Sequence, residues 1–370
     1  MTKPMDPVAA ATAKDDLYDF VFEGDMVTRS PVNIVTPNGP QVTVEGGKDG
    51  KAAEVATMVS IIGGERVLLP VITSTTIRGK LRSAAVEVAM RHLQGKPSLS
   101  DYLYAVVGGV KGSESEDVFS ITERDARRAP NPVLALFGAS APWDGSRAYI
   151  GNAIPRERVS SEFVSSVRRD VFARDPGLAS ILDDQALDDY VTQRGMTKAS
   201  VKANSALKEA RAERAKAAKA GDAGAVKAAD VKIAELDAAA KAAKSEAGNS
   251  LQMPLAHKVI PIGVTMGHKM TLMGVTEVEA GLFLASLSHL FNEKPFFGGK
   301  LSLGYGMVDG DWAVRFRKRG ATGWTRAGSI AGRTLEPVEL NADLEPFHRA
   351  WTEFAASGRL DIGRIAKKAA

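Results

Sequence analysis

Two stretches of this sequence combine side chains and backbone that suit phosphate binding. The first is FFGGKLSLGYG, from Phe296 to Gly306, which holds four glycines, one lysine, one serine and one tyrosine. Glycine allows positive φ and close approach of the backbone to a ligand, and the N–H groups of such a loop suit phosphate oxygens. The alternative interpretation is a tight structural turn, because one glycine-rich loop is a weak signal by itself.

The second stretch is the start of a predicted helix. Thr73, Ser74, Thr75 and Thr76 are good N-cap residues, and apolar residues then recur at helical spacing. Three cations follow in the first turns, where the helix dipole disfavours positive charge; they are Arg78, Lys80 and Arg82. Hydroxyls, amides and cations together predict a phosphate site. A solvated basic face on a surface helix is the alternative.

Residues that could carry catalysis are sparse. Asp49 is the only aspartate between Asn33 and Gly64, in a glycine-rich stretch that predicts a long loop, and a lone loop aspartate is typical of a turn. The five histidines are scattered, and no two have the spacing of a metal-ligand pair. The chain has neither a nucleophile elbow nor a P-loop. We therefore expect no catalysis, no metal and no cofactor.

Composition narrows the class of protein. There is no cysteine, which excludes disulfides and thiolate metal sites. The formal charge of +4 permits nucleic acid as a partner without requiring it. The longest apolar run, Ala280 to Leu287, is far shorter than the roughly 20 residues of a membrane helix. Because the N-terminal residues have no apolar segment typical of a secretion signal, we expect a cytoplasmic protein without membrane contact.

The predicted elements indicate an α+β fold. Strands are predicted where apolar and polar residues alternate or where short apolar runs occur: Tyr18–Met26, Arg66–Ile72, Arg147–Ile154 and Trp312–Arg317. Thr276 and Glu279 have the spacing of a capping box at the start of a helix. A last helix is predicted from about Leu344 to Phe354.

A different composition marks the segment from Ser160 to Ser250. It becomes rich in Ala, Lys, Glu and Arg, which are strong helix formers. We predict two helices, Ala199–Ala220 and Ala225–Ala247, that form an antiparallel hairpin. Large apolar side chains are scarce there, which indicates an inserted arm. Its role is open between a solvated insertion and a contact with a neighbouring subunit or nucleic acid.

Four segments, in this order, resemble those of the repeat-associated (RAMP) superfamily of CRISPR proteins. They are RSPVNI from Arg29, LPVITSTTIRGKLR from Leu69, LALFG from Leu134, and the glycine-rich segment from Gly298 to Gly306. The resemblance is greatest to the backbone subunit of class 1 CRISPR effector complexes. The absence of cysteine and the helical insertion make the chain most similar to the type IV backbone subunit.

The resemblance implies a ferredoxin-like (RRM-like) palm with insertions, including a long helical-hairpin arm. The expected organisation is a flexible tail at 1–16, a palm with finger insertions at 17–159 and 251–358, a thumb-like arm at 160–250 and a C-terminal tail at 359–370. It also implies a non-catalytic subunit that polymerises along CRISPR guide RNA and presents its bases for pairing. The implied partners are guide RNA, further copies in a helical assembly, other effector-complex subunits and complementary target nucleic acid.

The residues carried over as RNA contacts are Arg29, Ser74, Thr75, Thr76, Arg78, Lys80, Arg82, Gly298, Gly299, Lys300 and Tyr305. Phosphate contacts position a strand without reading its sequence, which suits a subunit that carries arbitrary guides. Related type III backbone subunits cut target RNA with an aspartate after the first strand. A guide-dependent endoribonuclease using Asp49 is therefore the alternative function.

Overall fold

The structure is a computed structural model that describes residues 17–36, 41–43, 51–108, 121–139, 145–168, 202–203, 205–218, 222–246 and 253–363. The strands are β1 (Tyr18–Thr28), β2 (Gln41–Thr43), β3 (Lys51–Ala53), β4 (Thr57–Ile62), β5 (Glu65–Pro70), β6 (Ala148–Ile150), β7 (Ile154–Pro155), β8 (Glu162–Arg168), β9 (Met253–Val259), β10 (Thr265–Val275), β11 (Val308–Lys318) and β12 (Thr325–Gly332). The helices are α1 (Ser74–Met90), α2 (Leu99–Val107), α3 (Ile121–Arg128), α4 (Pro132–Phe137), α5 (Ala223–Glu246), α6 (Glu277–Glu293) and α7 (Glu345–Ala356).

The main sheet has the strand order of a ferredoxin-like fold. Its order is β12-β11-β1-β10-β6, and each strand pairs antiparallel with its neighbours. Helix α1 lies in the chain between β1 and β6, and α6 lies between β10 and β11. The four strands of this β-α-β-β-α-β unit therefore take the order 4-1-3-2, with β12 added at the edge. The predicted α+β class and ferredoxin-like palm are confirmed.

The core lies on the face of the sheet that the helices cover. Alternate residues of β1, including Phe20, Phe22 and Met26, are almost completely buried, as the period of two predicts. Phe22 packs against Phe283 of α6, with ring centroids 5.3 Å apart. Phe347 of α7 packs edge-on against Phe20 at 5.0 Å, so α7 also closes this core.

Helix α6 begins where the sequence predicts. Thr276 Oγ1 accepts from the Glu279 N–H, and the Glu279 carboxylate accepts from the Thr276 N–H, which completes the capping box. The same carboxylate accepts from Arg147 at 2.7 Å. Since Glu279 is buried, this one side chain both starts the helix and anchors the segment that precedes β6.

Acidic and basic side chains neutralise each other on the opposite face of the sheet. Arg317 of β11 contacts Asp19 of β1 at 3.1 Å, and Arg315 contacts Glu23 at 3.4 Å. Trp324 lies against both guanidinium groups, with the ring centroid 4.7 Å from Arg317. The alternation of basic residues along β11 therefore does not produce an unpaired basic surface here.

Two expectations about irregular segments are corrected. The loop expected from Asn33 to Gly64 contains β4, which pairs residue by residue with β5 through a turn at Gly63 and Gly64. Leu360 and Ile362, which fall within the C-terminal tail expected from residue 359, are buried in the core. The N-terminal tail expected at 1–16 lies outside the described residues.

The chain divides into two compact units. One comprises Met1–Val42, Ala53–Val164 and His257–Ala370, and the other comprises Thr43–Ala52 and Ser165–Ala256. In the second unit, helical residues 205–218 run antiparallel to α5, as the pairs Arg211–Asp237 and Arg214–Asp230 require. The predicted helical hairpin is therefore present. Among the described residues, no helix is both long and apolar enough to cross a membrane.

A buried histidine makes the stability of this fold dependent on pH. His268 of β10 is buried, and its Nδ1 accepts from Trp312 Nε1–H at 3.1 Å. Burial lowers the pKa of His268 from its usual 6.5 to about 4. Between these two values the unfolded chain binds a proton that the native chain does not, so stability falls as pH falls.

We predict that His268→Gln flattens this dependence. Glutamine stays neutral and keeps an acceptor for Trp312. Between pH 6.5 and 4 the wild type should lose about 3 kcal/mol more than the variant in free energy of unfolding. Urea unfolding at several pH values measures this, and other titrating groups cancel because both chains share them. Parallel pH profiles would contradict the prediction.

Candidate nucleic-acid interface

The segment after β1 forms the base of the glycine-rich loop. The N–H groups of Arg29 and Ser30 donate to Met307 O at 2.8 and 3.3 Å, and Met307 N–H donates back to Ser30 Oγ at 2.9 Å. Further along, Gly306 N–H donates to Pro31 O and Gly299 N–H donates to Asn33 O. The first and last of the four resembling segments, 260 residues apart in the chain, are therefore in contact.

Two glycines of the loop are required by this contact. Gly298 has φ of 87°, and a Cβ there would lie 2.3 Å from Asn33 O. Gly306 has φ of 93°, and a Cβ there would lie 2.3 Å from Phe297 O. Only glycine fits such positions. The glycines thus serve first to bring the loop against its own chain, which is the structural interpretation left open above.

The tip of the loop, residues 300–304, extends from this base. Lys300 is exposed and takes the left-handed conformation with φ of 62°, which is uncommon for a residue with a side chain. The tip closes on itself through Leu303 N–H to Lys300 O and Gly304 N–H to Leu301 O, both 2.9 Å. The Lys300 ammonium group therefore lies on an exposed turn, and backbone hydrogen bonds hold the base of the loop on either side of it.

Tyr305 and His257 lie directly behind this tip. Tyr305 is partly buried, and its ring centroid is 5.4 Å from that of His257 on β9. His257 is 6% exposed, and both of its ring nitrogens lack a hydrogen-bond partner. Burial, and then the charge of Lys300, lower the pKa of His257. No sequence motif marked His257, because its neighbours come from the distant glycine-rich segment.

Several hydroxyl and N–H groups at the start of α1 already form hydrogen bonds within the protein. Thr73 is the N-cap, and its Oγ1 accepts from the Thr76 N–H at 3.4 Å and lies within 3.0 Å of the hydroxyls of Thr75 and Thr76. Ser74 N–H donates to Asn152 Oδ1 at 2.6 Å. The expected cluster of free donors is therefore reduced, and Thr75 remains the exposed member.

Arg82 differs most from the expectation that it faces phosphate. It is 5% exposed and donates to three backbone carbonyls, those of Ala105, Gly138 and Tyr104, at 2.5, 2.9 and 3.3 Å. Arg78, one turn earlier, donates to Phe137 O. These carbonyls belong to the ends of α2 and α4. The second and third resembling segments are therefore joined through two arginines that stabilise the fold.

Lys80 and Arg29 have surroundings different from those of Arg78 and Arg82. Lys80 is half-buried, and its pKa is lowered by burial and by the charge of Lys294 at the end of α6. The side chain of Arg29 is 55% exposed and donates to Asp309 at 2.7 Å. Of the predicted cations, Lys300 at the tip of the glycine-rich loop and Arg29 beside its base present exposed side chains.

The start of α1 and the base of the glycine-rich loop pack on the same apolar core. Ile77 of α1 and Phe297 at the base of the loop line the same apolar cavity of about 10 Å³, together with Trp312. Such a space holds at most one water and no ligand.

Asp49 lies outside the described residues. Within the described ranges, no three His, Asp or Glu side chains converge as a metal site.

Solved structures align with most of this chain at low sequence identity. No protein-family model and no curated protein matches the sequence. A chain of a Type IV-B CRISPR complex aligns at a TM-score of 0.40 and 14% identity, over 83% of this chain and 93% of that one. Csc2 of Thermofilum pendens aligns at 0.37 and 11% identity, over 96% and 90%. The fold assignment above therefore rests on the strand order.

We predict that Arg82→Met destabilises the fold. Methionine fills much of the same volume but leaves the buried carbonyls of Ala105 and Gly138 without this donor, which should cost about 2–3 kcal/mol. The Tyr104 carbonyl keeps the Gly108 N–H as its donor. Arg349→Met, at an exposed position of α7, is the matched control and should change stability little. Thermal or urea unfolding of both variants measures the difference. Equal stability of the two variants would restore Arg82 as a candidate for ligand contact.

Proposed function

We propose that this protein is a backbone subunit of a class 1 CRISPR effector complex, most like the type IV subunit. One observation carries the proposal. The four segments that resemble the RAMP superfamily are far apart in the chain, yet the first contacts the fourth and the second contacts the third on one ferredoxin-like palm. Such pairing gives a physical reason for the segments to occur together.

The proposed partner is guide RNA, held by its phosphates along the glycine-rich loop. Lys300 supplies exposed positive charge at the tip of the loop. Arg29 lies beside the base of the loop, where its exposed guanidinium already pairs with Asp309 at 2.7 Å and therefore contributes less. Tyr305 follows the tip in the chain and supplies a partly buried aromatic ring. Thr75 offers a further exposed hydroxyl at the start of α1. Since none of these groups selects a base edge, the binding is independent of sequence, as arbitrary guides require.

The face of the sheet opposite the helices is a weaker candidate for this contact. Its arginines on β11 are already paired with acidic residues of β1. An RNA strand there would have to displace those carboxylates, which repel phosphate. The glycine-rich loop has no such acidic neighbour for Lys300 among the described ion pairs. The loop is therefore the more favourable site.

The remaining partners follow from the same proposal. Further copies of the chain associate along the guide in a helical assembly, and other effector-complex subunits bind its ends. The guide bases stay available for pairing with a complementary target, so that base pairing and not the protein reads sequence. We propose that the protein acts in the cytoplasm, with no membrane contact and no cofactor.

We predict that purified protein binds single-stranded RNAs of unrelated sequence with equal affinity, and that this affinity falls steeply with salt. Lys300→Ala should remove one phosphate contact. The slope of log affinity against log salt should then flatten by about 0.7, with about fourfold weaker binding near 0.15 M salt. Fluorescence anisotropy over a salt series measures both quantities.

The matched control for this measurement is Lys96→Ala. Lys96 is also an exposed lysine, in the segment between α1 and α2 and outside the proposed interface. It removes the same charge and should leave the slope unchanged. If both variants flatten the slope equally, the effect comes from net charge alone, and the glycine-rich loop is not the contact.

We also propose that the subunit has no catalytic step. Two histidines have structural contacts that support this: His268 accepts from Trp312, and His289 lies between Glu87 and Glu293 at 2.8 and 3.2 Å. Labelled target RNA, paired with guide on the assembled protein in Mg²⁺, should remain intact. Cleavage at regular spacing that Asp49→Ala abolishes would overturn the proposal in favour of the endoribonuclease.

A further inference from the structure

The buried imidazole of His257 has no hydrogen-bond partner, although the adjacent residue on the same strand has partners for its polar groups. Both ring nitrogens are inaccessible to solvent and unpartnered, whereas nearly all buried polar atoms in native proteins are hydrogen-bonded. The neighbouring residue on β9, Lys258, is fully engaged: its Nζ donates to Glu54 at 2.6 Å, and its carbonyl accepts from Asn33 at 2.7 Å. The missing hydrogen bonds are therefore confined to His257, on the side of β9 that faces the glycine-rich loop.

The surroundings of His257 are those of the proposed RNA contact. Ile260, directly after β9, forms a β-bridge with Val32, and Asn33, next to Val32, forms one with Gly299. His257 consequently lies one short strand away from the base of the glycine-rich loop, with the Tyr305 ring against it at 5.4 Å. Tyr305 is only partly buried and adjoins a tip whose hydrogen bonds are local. A ligand of the imidazole would therefore have to enter beside Tyr305, with a turn of that side chain.

The chemistry of the site defines the group that His257 would bind. Burial and the Lys300 charge hold the imidazole neutral, because both lower its pKa. A phosphate prefers the charged form, so it is better matched to Lys300 itself. A neutral imidazole offers one donor and one acceptor. The ribose 2′-hydroxyl is likewise both donor and acceptor, and it is the group that distinguishes RNA from DNA.

We propose that His257 and Tyr305 form a ribose subsite beside Lys300, in which His257 binds a 2′-hydroxyl and gives the protein a preference for RNA over DNA. This inference rests on the function proposed above. Lys300 holds the adjoining phosphate, and Tyr305 lies against the sugar and its base. A base edge would also satisfy the imidazole, but such a contact would make binding depend on the guide sequence.

The test compares RNA and DNA strands of identical mixed sequence on full-length protein freed of bound nucleic acid. The wild type should prefer RNA by about tenfold, the size expected for one hydrogen bond. His257→Phe keeps a buried ring without nitrogens and should abolish this preference by weakening RNA binding alone. His257→Gln retains a donor and an acceptor and should restore part of it. His348→Phe on α7 is the control and should keep the full preference.

Each outcome decides the question. An unchanged RNA-to-DNA ratio in His257→Phe, or equal loss of both affinities, overturns the ribose subsite while the proposed function stands. Failure of the wild type to bind RNA overturns the proposed function and this inference together. Should His257→Phe unfold in a thermal melt, wild-type binding to 2′-O-methyl RNA serves instead. Affinity equal to that for unmodified RNA would then refute the contact, and reduced affinity near that of DNA would support it.

Discussion

Strand β1 is hydrogen-bonded along both edges, and the rest of the palm depends on that central position. Pairing with β10 on one side and β11 on the other fixes which of its residues face the helices. Because side chains alternate, a register shift of one residue would move Phe20 and Phe22 out of the core. The same registration determines where the chain leaves the sheet at Arg29. The base of the glycine-rich loop is thus set by the centre of the sheet.

The sequence predicted the palm well because its signals are local. The alternation in β1, the capping box at Thr276 and the apolar spacing of α1 each lie within a few residues. Strand β5 was predicted, but its partner β4 was missed because much of β4 is exposed, with Ile61 71% and Val59 47% accessible. Such strands do not show the alternation of buried and solvated residues on which strand prediction relies.

The candidate site could be predicted only in part, because its contacts are long-range. Basic residues near a helix start suggested phosphate, but the carbonyls that receive Arg82 lie more than 20 residues away in the chain. Nothing within α1 distinguishes a buried structural arginine from one that binds a ligand. The glycine-rich loop was recognised, yet the reason for Gly298 is the backbone of Asn33. His257 gave no sequence signal, since its orphaned nitrogens exist only in the folded chain.

Strands β8 and β9 form a two-stranded sheet of their own, and the helical hairpin lies between them in the chain. The segment that carries the hairpin therefore begins after β8 and ends before β9, and these two strands pair with each other. The entropy of closing such a segment grows only slowly with its length. Descent with modification could lengthen, shorten or exchange it without disturbing the register of the main sheet. The arm is in this respect a module whose size evolution can vary independently of the palm.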